Sequence, residues 1–130
     1  MDEKRAVNVG KRTLPVRLPS FADREDLVVA WGVVVAAGDG MALRRVAAAA
    51  LGLCTPVGRQ SRADFARHGC SVASYGGEVY GYMREHGAEL EGVVRAGGEV
   101  VAMCADGLFP RAPEVDATAD FSGAGAPPTA

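Results

Sequence analysis

One hundred and thirty residues, 48% of them apolar and 23% charged with a net charge of −2, provide one globular domain with ample material for a core, and exclude a disordered or strongly basic chain. With 17 glycines, only 6% aromatics and a heavy load of alanine, the core is built from small side chains, so helices approach closely while little area is buried per residue. The three cysteines, Cys54, Cys70 and Cys104, lack Cys-x-x-Cys spacing and read as small hydrophobes in a reducing compartment. The opening MDEKRAVNVG has no apolar signal segment, which sets a cytoplasmic expectation.

In chain order, Val7 and Val9, then Leu14, Val16 and Leu18, alternate with polar neighbours across Gly10-Lys11, which predicts a β-hairpin within residues 1–19. Pro15 confines the second strand to an edge. A lone two-stranded ribbon is marginal in water, so it either folds back on its own helices or extends a sheet supplied by another chain. In the second case Val7, Val9, Leu14, Val16 and Leu18 are the partner-binding residues.

Ser20-Phe21-Ala22-Asp23 is a helix-start signal, and Gly38 is a natural residue to end that helix. Between them Leu27–Ala37, LVVAWGVVVAA, carries no charge and no hydrogen-bonding side chain except the Trp31 indole. A helix apolar on every side belongs at the centre of a bundle, which predicts Leu27, Val28, Trp31, Val34 and Val35 as the buried centre and a loss of about 3–5 kcal/mol for Trp31→Ala. The apolar run stops at Gly38-Asp39-Gly40, short of the roughly 20 residues a bilayer requires. No membrane span is expected.

Met41–Leu53 is a second helix by composition, and Ser61-Arg62-Ala63-Asp64 opens a short one that closes at Gly69. Val72, Tyr75, Gly76, Val79, Tyr82, Met83 and His86 then form one helical stripe, capped by Ser71 and ended by Gly87. Leu90, Val93, Val94, Gly97, Val100, Val101 and Cys104 repeat that spacing, so the two helices make an αα-hairpin. Gly76 and Gly97 each cost about 1 kcal/mol of helix propensity against alanine, and their place on the apolar stripes calls for a bulky neighbour such as Trp31 or Tyr82 packed on bare backbone. Residues 111–130, rich in Ala, Gly, Pro and acid, read as a flexible acidic tail unless a partner holds it through Phe121. The fold class is therefore mainly α: an N-terminal hairpin (1–19), a bundle of four to five helices (20–110) and a flexible tail (111–130).

No active-site signature accompanies this architecture. Gly10-Lys11-Arg12-Thr13 lacks the glycine and hydroxyl spacing of a P-loop, and Gly38-Asp39-Gly40 lacks the third glycine of a dinucleotide fingerprint. His68, Cys70 and Cys54 have no familiar zinc spacing, and Gly69-Cys70-Ser71-Val72-Ala73 is not a nucleophile elbow. No catalytic, cofactor or metal residue is nominated. Arg44, Arg45, Arg59, Arg62 and Arg67 form a basic patch offset by Asp64, but the acidic total and the shortage of aromatics disfavour a nucleic-acid binder. Charge is divided unevenly, eleven Lys/Arg against seven Asp/Glu in residues 1–67 and three against nine in 68–130. Such a split fits head-to-tail contact between copies in a homo-oligomer, a basic surface for an acidic partner, or two solvated faces of one domain.

The order edge hairpin, apolar helix, Ala-rich helix, then VASYGGEVYGYMREHGAELEGVVRAGGEVVAMCADGLFP and an acidic tail resembles the small tail-module proteins of bacteriophages and prophages called tail assembly chaperones. The likeness covers Ser71–Phe121, notably Tyr75-Gly76-Gly77, the His86-Gly87 turn and Glu114 to Phe121, and it is one of pattern. It implies a non-enzymatic helical protein that binds the tape-measure protein, or other tail proteins, in the bacterial host cytoplasm. The alternative is a structural subunit retained in the virion at a neck or tail ring.

Overall fold

The computed structural model describes residues 5–57, 62–106 and 108. Strands β1 (Arg5–Val9) and β2 (Arg12–Val16) pair antiparallel about the Gly10-Lys11 turn, where Gly10 takes φ 63°. The register sets Val7 opposite Leu14, and both are buried in the chain's own core. β1 packs on the last helix, and the Arg17 N–H donates to the Cys54 carbonyl at 2.8 Å. Of the two ways to support a marginal ribbon, the fold takes the internal one: Val9, Val16 and Leu18 also lean on the bundle, Leu18 from beyond the end of β2.

Five helices follow: α1 (Phe21–Ala37), α2 (Gly40–Cys54), α3 (Arg62–Arg67), α4 (Val72–Glu85) and α5 (Leu90–Ala105). Their bounds follow from local chemistry. Ser20, Asp39 and Ser71 accept from the N–H groups of Asp23, Ala42 and Ser74 at 3.3, 3.1 and 3.2 Å, each satisfying a donor with no partner within its helix. Gly38 ends α1 in the left-handed conformation at φ 68°.

The placement of α1 corrects the expectation that it forms the centre. Only Leu27 and Asp23 are buried along it; Val28, Trp31 and Val34 are half-buried, and Val35 is exposed. The centre is α2, where Val46, Ala47, Ala48, Ala49, Ala50, Leu51, Gly52 and Cys54 are all buried, and it packs against α1, α4 and α5. Side-chain size decides the contest. A helix that touches three others must let each come close, and methyl groups permit what branched valines do not.

The two stripe glycines serve the same crossings. A Cβ on Gly76 would lie 2.0 Å from the Arg45 carbonyl oxygen, and one on Gly97 would lie 2.5–2.6 Å from Ala47, so α4 and α5 each seat bare backbone on α2. Neither Trp31 nor Tyr82 is the close neighbour there; Trp31 lies over Gly98, 3.2 Å from where its Cβ would be.

Tyr75 is fully buried, meets Phe65 edge to face at 5.3 Å, and its hydroxyl has no hydrogen-bond partner among the described residues. Burial, with Asp64, Cys54 and Glu78 nearby, pushes the phenol above its ordinary range. A phenol with a raised value in the folded chain gives stability that is constant below the unfolded value of about 10 and falls as pH climbs towards the folded one. We therefore expect Tyr75→Phe to gain about 1 kcal/mol at neutral pH by removing an unsatisfied hydroxyl, and to lose less stability than the wild type between pH 9 and 11, read from urea midpoints across that range.

Candidate functional site

Among the described residues no three metal-capable side chains gather. His68 bridges Ser74 Oγ (Nδ1, 2.8 Å) and Glu78 Oε1 (Nε2, 2.5 Å), two residues one turn apart on α4. Ser74, His68 and Glu78 stand in the order of a nucleophilic relay, while the Ser74 N–H, at the start of α4, donates to Ser71 Oγ. The bridge ties the turn after α3 to α4.

Cys54 and Cys104, both buried, lie where α2 and α5 end, and the neighbouring Cys104 thiol together with burial pushes the Cys54 thiol up. Cys70 is exposed at φ 57°, in the turn that leads into α4.

The described members of the basic patch lie on two helices, α2 and α3. Arg67 pairs with Asp64, reaches Glu78 at 3.9 Å, and has its guanidinium charge held firmly by those carboxylates. Arg59 and the Arg62 side chain lie outside the described residues, as does Phe121. Arg44 and Arg45 lie on the first turns of α2. With Met41 they flank a groove of about 840 Å³ whose other wall carries Tyr80 and Arg84 of α4 and whose floor includes Gly77 and Gly81. Arg84 stacks over the Tyr80 ring at 5.9 Å, and a Cβ on either glycine would meet nothing within 4 Å.

The feature that sequence reasoning missed is the outer side of α1. Val29, Val33 and Val35 are 54, 62 and 53% exposed, and Phe21 and Met41 extend the surface at either end of the helix. Along this side Glu25 and Asp26, then Val29, Gly32, Val33 and Ala36, are all exposed, giving one face that is acidic towards its N-terminus and aliphatic towards its C-terminus. Scattered apolar residues on a surface need no explanation, but a contiguous set on one helix marks an interaction face. No described helix is long and apolar enough to cross a membrane. No family model matches the chain, and no curated protein or solved structure is significantly similar to it.

Proposed function

We propose that this is a non-enzymatic assembly protein that works bound to other protein chains, with the specific task of a bacteriophage tail assembly chaperone. The observation that carries this reading is the exposed aliphatic side of α1. A helix face of this kind is an energetic liability in water and becomes an asset when a partner helix covers it, as in helix-in-groove recognition. The long tape-measure protein is the partner that the resemblance implies. The pattern of the second half, from Ser71 to the acidic tail, is what points to that task over other assembly roles.

The test is co-expression with the long tail protein of the same genome, followed by affinity capture. The wild-type chain should co-purify. A V29Q/V33Q variant should keep its helical circular dichroism, because both positions are exposed, but lose at least about tenfold in capture, since burying one valine is worth about 1.5–3 kcal/mol. A variant that binds as well as the wild type removes α1 from the reading; a wild type that does not bind removes the chaperone role. Stoichiometric copies in purified particles, seen by mass spectrometry, would assign the protein instead to the virion as a neck or tail ring subunit.

A further inference from the structure

We infer that the outer face of α1 docks into the arginine-flanked groove between α2 and α4 of a second copy of this chain, joining copies head to tail. This rests on the proposed function for the use of α1 as a docking face, and a second copy and the long tail protein are then alternative occupants of that face. Charge complementarity carries the choice. Glu25 and Asp26 lie exposed on α1, Arg44 and Arg45 on the groove's rim, and none of the four makes an ion pair among the described residues.

The acidic and basic sets make no ion pair with one another within one molecule. They can meet between molecules. Gly77 and Gly81, one turn apart with open space above them, leave the floor without side chains, so the backbone of an incoming helix can come close. Met41 at the rim offers an apolar contact to the aliphatic half of the incoming face. The two surfaces differ, so the contact is heterologous: copies continue into an open chain, or into a ring where the rotation closes.

Sedimentation velocity with full-length protein tests this. The wild type should associate with rising concentration, and less so as salt shortens the screening length from about 10 Å at 0.1 M to about 3 Å at 1 M. E25R/D26R and R44E/R45E, all at surface positions, should each weaken association by at least about tenfold, because like charges then face one another. Mixing the two variants in equal amounts should restore it, since each supplies the surface the other lacks. The neutral E25Q/D26N should weaken association as well, which keeps the test sound if a reversal disturbs folding. A wild type that is monomeric at every concentration overturns the inference. So does association that survives both reversals, as an α1-to-α1 contact through valines would, or a loss that mixing does not rescue. So does a groove that takes an oligonucleotide in place of a second copy. A monomer that still captures the tail protein would sink this contact alone and leave the proposed function standing.

Discussion

Gly76→Ala and Gly97→Ala should each destabilise the domain by about 3 kcal/mol or more, at the upper end of overpacking costs, and lower its thermal midpoint by about 10 °C or more. The sign is the informative part. In most helices glycine to alanine gains close to 1 kcal/mol of propensity. Here the added methyl would sit 2.0 Å from the Arg45 carbonyl at one site and against the Ala47 backbone at the other, and no rotamer change moves a main chain aside. Gly77→Ala, one position along the same helix, meets open space and should show the ordinary gain. Differential scanning calorimetry on the three variants decides it. Equal responses at Gly76 and Gly77 would mean that α4 does not cross α2 at Gly76.

A second contrast separates the helix that is central from the one whose composition suggests it. Leu51→Ala removes a fully buried side chain from α2 and should cost about 2–5 kcal/mol. Trp31→Ala should cost about 1.5–2.5 kcal/mol, roughly half of a full aromatic core truncation, because the indole is half-buried against Gly98. Val33→Ala should stay within about 0.5 kcal/mol of the wild type, as surface substitutions do. Urea midpoints with unchanged slopes would establish the order Leu51, Trp31, Val33; Trp31 costing more than Leu51 would return α1 to the centre.

The elements themselves were legible in the sequence because their signals are local. Ser20, Asp39 and Ser71 cap where side-chain oxygens reach an N–H three residues on, and Gly38 stops α1 by adopting a conformation that other residues resist. The hairpin register likewise follows from a two-residue turn and alternating residues. What could not be read was which helix the others surround. Hydropathy measures what a side chain gains when buried, and the valines of α1 score high on that scale whether or not a neighbour covers them. The position of α2 depends instead on how closely partners can approach it, which is a property of pairs of helices. For the same reason Gly76 and Gly97 were recognisable as contact points but not their partner, and the groove of Arg44, Arg45 and Arg84 was invisible because its walls come from helices distant in sequence.

The four successive buried alanines of α2, Ala47 to Ala50, have a consequence for how such a chain can vary. Four residues complete a turn, so methyl groups set the gap to neighbours in every direction, and each position can shrink only to glycine and grow only by collision. A saturation library should find this helix nearly closed to change while the outer side of α1 accepts almost any helix-forming residue without unfolding. Selection on partner choice would then have a free surface to work on, carried by a scaffold that has almost none.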